Sequence, residues 1–205
     1  MAVDVTGRLL ARDLPQALRG SGVAPLLLRV FEEVSAAIFR KGRETPGLRG
    51  MGTTLVLLVF SPDRYFVAHA GDSRAYRVRR GELVQLTRDH SLVQLRIDAG
   101  LLRPEDAAFQ PDRNIITRVV GTEPSVQPDL GEGTLADGDT FVLTTDGVHG
   151  VVPAGRILDL AARLPPREAA EALVREALRL GTMDNSTAVV VRALEARGES
   201  ERSRT

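Results

Sequence analysis

Three aspartates stand where runs of β-forming residues begin or end: Asp72 in Gly71-Asp72-Ser73, Asp146 in Thr144-Thr145-Asp146-Gly147, and Asp184 in Asp184-Asn185-Ser186-Thr187. An aspartate so placed has two physical uses. It can bond its own backbone and make a turn, or it can offer carboxylate oxygens to a hard divalent cation. For Asp146 taken alone the turn reading comes first, because strand-Asp-Gly is a common way for a chain to leave a sheet. In an antiparallel sheet, however, the end of one strand and the start of its neighbour reach the same edge, so the three carboxylates can converge. Convergent carboxylates repel and raise one another's pKa unless a cation lies between them, and an oxygen-only donor set favours Mg²⁺ or Mn²⁺ over Zn²⁺.

Other side chains give weaker signals. His69 lies within a strand pattern and reads as a core residue with its polar atoms satisfied, whereas His90 and His149 fall in loop or turn settings where a site role is open. Arg77 and Arg79 alternate with Tyr76 and Val78, which reads most simply as a solvated strand face, with phosphopeptide binding as the functional alternative. There is no cysteine, no G-x-S-x-G elbow and no Walker loop, which argues against thiol catalysis, an ordinary serine hydrolase and a P-loop enzyme.

The elements that must position these residues are legible from periodicity. Residues 8–19 and 24–40 read as helices; in the second, Leu27, Phe31, Val34 and Ile38 form one apolar stripe. Thr53 to Phe60 reads as a strand buried on both faces. Arg64 to Ala70, Arg74 to Arg80 and Glu82 to Leu86 read as further strands of one antiparallel meander. From Thr87 the pattern turns helical and irregular: Asp89 or Ser91 can cap a helix closed by Gly100, and Pro104 can open a short second one. Val126, Pro128 and Leu130 suit an edge strand, Phe141 to Thr145 a buried one, and Ser186 to Arg192 a last one. Between the last two, Ala154 to Leu164 and Arg167 to Leu180 are amphipathic, the latter with Ala170, Leu173, Val174, Ala177 and Leu178 on one face.

A chain of 205 residues with 43 % apolar content fits one folded domain, and 27 basic against 27 acidic residues give no net field to steer it towards nucleic acid or an anionic membrane. The longest apolar run, Leu55 to Phe60, is far too short for a membrane span, and no signal-peptide pattern opens the chain, so the cytoplasm is the default expectation. Residues 195–205 read as a disordered polar tail.

Six segments taken together resemble one family. Gly50-Met51-Gly52-Thr53-Thr54, the stretch 68–78 (AHAGDSRAYRV), 87–100 (TRDHSLVQLRIDAG), 111–121 (PDRNIITRVVG), 138–148 (GDTFVLTTDGV) and 184–191 (DNSTAVVV) stand in the order and spacing of bacterial metal-dependent (PPM, type 2C) serine/threonine protein phosphatases. The resemblance implies an α+β fold, a four-layer α-β-β-α sandwich with an antiparallel β-sandwich core, over a domain at 1–194. It implies Asp146 and Asp184 as ligands of a two-metal Mn²⁺ or Mg²⁺ centre, with Asp72 helping to bind a third, weaker ion. It implies a flap at about 87–121 whose Asp89, His90 and Ser91 lie near the substrate, and a structural role for Gly52, Thr53 and Thr54. The expected reaction is hydrolysis of phosphoserine and phosphothreonine in proteins by a metal-activated water, with no catalytic side chain, in a serine/threonine kinase pathway.

The same resemblance implies an early acidic ligand, a phosphate-gripping arginine and a DG-x-G-G segment whose Asp bridges the metals, and none has a counterpart here. The chain therefore reads as N-terminally shortened, its first strands missing and a sheet edge exposed. The alternative expectation is a non-catalytic phosphatase-like binding or regulatory module, or an inactive fragment.

Overall fold

The computed structural model describes residues 1–20 and 22–194; the tail expected at 195–205 lies outside the described residues. Two antiparallel sheets lie face to face between two helical layers. Helices α1 (Ala2–Ala17) and α2 (Val23–Glu44) cover a three-stranded sheet in the order β1 (Leu55–Phe60), β2 (Arg64–Ala70), β5 (Asp129–Thr134). The second sheet runs β4 (Glu82–Gln85), β3 (Arg74–Arg79), β6 (Thr140–Thr144), β7 (Ala188–Arg192). Helices α5 (Ala154–Arg163) and α6 (Pro166–Arg179) cover its outer face. This is the α-β-β-α layering of an α+β fold, and no helix of the described residues is long and apolar enough to cross a membrane.

Each helical layer buries the stripe its sequence carries. Leu27, Phe31, Val34 and Ile38 of α2 pack on Val59, Ala68 and Ala70, while Ile157, Leu160, Leu173 and Ala177 pack on Tyr76, Val78 and Val142. Full burial stabilises each of the larger side chains by about 1.5–3 kcal/mol, so these two cores fix the sheets' outer faces. Between the sheets Phe141 meets Phe60 and Tyr65 edge to face, with ring centroids 5.0 Å apart in both pairs.

Several expectations change. The edge strand expected over Val126, Pro128 and Leu130 starts later, at Asp129, where pairing with β2 begins, and runs to Thr134. The strands do not form one meander: β2 and β3 belong to different sheets, and the turn at Gly71, with φ of 112°, carries the chain from one to the other. The strand expected over Thr53–Phe60 begins at Leu55 and has only Val59 buried, because it is an edge strand paired on one side by β2. Arg77 and Arg79 do not face solvent but the space between the sheets, where Arg79 makes paired bonds of 2.6 Å to Asp139, whose side chain is 0 % exposed. On α6, Leu178 is exposed, and the buried row is Ala169, Leu173 and Ala177.

Candidate metal centre

Strand pairing brings the three aspartates to one edge. Arg74 at the start of β3 is opposite Thr144 at the end of β6, and Thr144 is in turn opposite Ala188 at the start of β7. Asp72 lies just before the first of these positions, Asp146 just after the second and Asp184 shortly before the third. The register of the second sheet therefore puts all three on the edge that strand polarity pointed to.

The turn carrying Asp72 is braced from the first sheet. A Cβ on Gly71 would lie 2.4 Å from the Thr54 side chain, so only glycine allows this approach, and Thr54 Oγ1 bonds Ser73 Oγ at 2.8 Å. The neighbouring Thr53 exchanges two backbone bonds of 2.9 Å with Val120. The segment from Gly52 to Thr54 thus ties the Asp72 turn to the end of the 87–121 segment.

Asp146 and Asp184 lie on two turns that are bonded to each other. Asp146 opens the four-residue helix α4 (Asp146–His149) directly after β6. Thr145 N donates to Thr187 O, Thr187 N donates to Thr145 Oγ1, and Ser186 Oγ donates to Gly147 O, at 3.1, 3.0 and 2.9 Å. Asp146 Oδ1 accepts from Gly147 N at 2.9 Å, and Asp184 Oδ1 accepts from Asn185 N at 2.6 Å. These local bonds orient the carboxylates and leave Oδ2 of each for another partner.

The electrostatics suit a cation. Burial, and after it the charges of Asp146 and Asp89, push the Asp72 carboxyl above its ordinary range against the pull of its backbone bond and of Arg74. Negative charge on an oxygen-only donor set, only partly offset by Arg74, fits a hard divalent ion. The three aspartates share an edge without closing on one point. Among the described residues, the group of three potential ligands with donor atoms within 4.8 Å of one another is instead His69, His90 and Asp129.

The flap candidates have distinct placements. Asp89 forms a forked pair with Arg74 at the start of β3, with bonds of 2.9, 3.1 and 2.7 Å. Ser91 caps α3 (Leu92–Asp98), accepting from Gln94 N at 3.2 Å, and pairs with Ile116. His90 is buried between them and stacks on His69, with centroids 4.6 Å apart. His69 is buried with Nε2 on Arg88 O at 2.8 Å. His149 closes α4 with Nδ1 2.9 Å from Thr144 Oγ1; burial, and then Arg74, lower its pKa to about 4. Sequence reasoning missed the Arg74–Asp89 and Arg79–Asp139 pairs and the contact of His90 with Asp129. In each, the partners lie well apart in sequence, and the only local signal is a charged or titratable residue beside a strand end.

The sequence profile of the family described as protein phosphatase 2C matches residues 2–195. Protein phosphatase PhpP of Streptococcus pneumoniae is 41 % identical over 144 residues, which are 70 % of this chain and 58 % of that protein, so the chain spans under two thirds of the length of this relative. The serine/threonine phosphatase stp of Listeria welshimeri is 31 % identical over 195 residues, 93 % of this chain and 77 % of its own. The crystal structure of the Mycobacterium tuberculosis serine/threonine phosphatase PstP/Ppp superposes with a TM-score of 0.86 at 34 % identity, covering 94 % of this chain and 81 % of that one. A further structure, the PstP catalytic domain in complex with two manganese ions, has a TM-score of 0.79 at 32 % identity, over 94 % of this chain and 82 % of that one. With the profile spanning residues 2–195 and the sandwich superposing on solved phosphatases of the same type, the protein belongs to the protein phosphatase 2C family.

Proposed function

We propose that residues 1–194 form a metal-dependent phosphoprotein phosphatase domain, with 87–121 as a flap beside the site. The observation that carries this reading is the placement of Asp72, Asp146 and Asp184 along one sheet edge, in a chain whose relatives are named serine/threonine phosphatases. The manganese in the PstP catalytic domain supports Mn²⁺ or Mg²⁺ as the ions here.

Asp146 and Asp184 would hold the ions, on turns locked to each other, and Asp72 would hold a further, weaker one from the turn braced by Thr54. When bound, such ions supply Lewis-acid polarisation of a phosphoryl oxygen and a nucleophile at neutral pH. The chain's own contribution is positional. Gly147 and Ser186 fix the spacing of the two ligand turns, and the Arg74–Asp89 pair anchors the start of the flap to β3, so the flap borders the same edge. The substrates are phosphoserine and phosphothreonine in proteins. ATP-dependent serine/threonine kinases make them in the cytoplasm, which is the compartment this reading assigns.

A second reading, a non-catalytic phosphatase-like module, is favoured by one observation: the three aspartates do not close on a common point. It cannot use Arg77 and Arg79 as an open basic face, since both point between the sheets and Arg79 is paired with Asp139. Mn²⁺-dependent hydrolysis of a phosphothreonine peptide, measured beside Asp146→Asn, separates the two. The phosphatase reading expects turnover that the substitution removes, and partner binding that survives Asp146→Asn without any turnover would favour the module.

A further inference from the structure

His90 lies at a junction that the proposed chemistry leaves without a role. Its stretch of backbone joins both ends of the flap, with Thr117 N donating to His90 O at 2.8 Å and Leu92 N, two residues on, donating to Ile115 O at 2.9 Å. It also grips the Gly71-Asp72 turn twice: His90 N donates to Gly71 O at 3.0 Å, and Gly71 N donates to His90 Nδ1 at 3.1 Å. A backbone N–H can only donate, so Nδ1 carries no proton and the neutral imidazole is protonated at Nε2. That Nε2 is buried and has no well-aligned hydrogen-bond acceptor, yet it lies 3.1 Å from Asp129 Oδ2. Asp129 stands opposite His69 across β2 and β5, and His69 stacks on the other imidazole with the ring planes 7° apart.

The close set of His69, His90 and Asp129 could be taken for a metal site. The bonding argues against it. A metal on Nε2 would move the His90 proton to Nδ1, where it would face the Gly71 N–H, donor against donor, and His69 Nε2 is already engaged by Arg88 O.

We propose instead that Asp129 and His90 are positioning residues for Asp72. The Asp129 carboxylate favours the Nε2–H tautomer, this leaves Nδ1 free to accept from Gly71 N, and that bond holds the turn presenting Asp72 at a fixed distance from the base of the flap. The inference rests on the reading of Asp72 as a cation ligand, and its test keeps the two apart.

The test uses the whole chain. Nitrogen-15 spectra report the His90 tautomer, hydrogen exchange reports the Gly71 amide, and calorimetry reports Mn²⁺ affinity, in wild type, Asp129→Ala, His90→Gln and His90→Asn. The expected wild-type tautomer is Nε2–H. Asp129→Ala and His90→Gln are expected to speed Gly71 exchange about tenfold, the loss of one buried hydrogen bond, and to weaken Mn²⁺ binding. His90→Asn places an acceptor where Nδ1 was and is expected to keep most of the protection and affinity. A wild-type His90 protonated at Nδ1 overturns the proposal, as does unchanged Gly71 exchange in both weakening variants. Faster exchange with unaltered Mn²⁺ affinity also overturns it. If wild type binds no Mn²⁺, the ligand reading of Asp72 fails, and the tautomer and exchange measurements still decide whether the relay exists.

Discussion

Gly147 and Asn185 are in such close contact that a Cβ on the glycine would meet the Asn185 carbonyl oxygen at 2.4 Å. Each is the residue immediately after a candidate ligand, so this contact sets how near Asp146 and Asp184 can come. Gly147→Ala is expected to force the two turns apart at a cost of about 2 kcal/mol, a drop in Tm of roughly 4–8 °C for a domain of this size, and to abolish Mn²⁺ binding. Thermal melts with and without Mn²⁺ check both parts. An unchanged melt would show that the two turns are not locked.

The Arg79–Asp139 pair crosses from the second sheet to the turn before β6, and Ala136 N donates to the same carboxylate at 2.9 Å. Burial pushes the Asp139 carboxyl up, but the Arg79 guanidinium and the Ala136 N–H outweigh it and hold the pKa below the usual range. A carboxyl lowered in the folded state contributes stability that is present above its unfolded pKa of about 4 and is lost as pH falls through the folded value. Asp139→Ala, which strands Arg79, is expected to cost about 3 kcal/mol at neutral pH. Denaturant melts from pH 7 to pH 3 should show the difference between variant and wild type shrinking in acid.

His149 adds to acid sensitivity in the same direction, over a higher pH window. Its folded pKa of about 4 means that the buried ring is neutral near neutrality, while the unfolded chain takes up a proton below about 6.5. Stability from this group is complete above the unfolded value and falls as pH drops towards the folded one, by up to about 3 kcal/mol. His149→Gln is expected to flatten the stability profile between pH 6.5 and pH 4, as followed by urea midpoints.

Burial and the charge of Asp146 both oppose the ionised form of Asp72. Asp72→Asn removes the repulsion, so the metal-free protein is expected to melt slightly higher, by ~1 kcal/mol or less of stability, while the rise in Tm on adding Mn²⁺ becomes smaller. A fall in the metal-free Tm would mean that the carboxylate is stabilising where it stands.

Local patterns revealed much of the site and fold. The aspartates were visible because each ends or begins a run of β-formers, and the α2 stripe of Leu27, Phe31, Val34 and Ile38 is the one the core buries. What stayed hidden depends on partners far along the chain. A Gly-Asp-Ser turn looks the same whether it closes a hairpin or crosses between sheets, and it is the approach of Gly71 to Thr54 that belongs to the crossing. Arg79 looked solvated because arginine usually is, and its buried partner Asp139 lies in a turn that gives no sign of pointing inward. His90 stood out only as a loop histidine, since its bonds run to Gly71 and towards Asp129 on other elements.

The most direct test of the metal centre is calorimetric titration of the chain with Mn²⁺, beside Asp146→Asn and Asp184→Asn. Saturable binding by the wild type that each substitution removes is the result expected if Asp146 and Asp184 hold the ions. Binding of equal strength in all three proteins, or none in a cooperatively folded wild type, would contradict it.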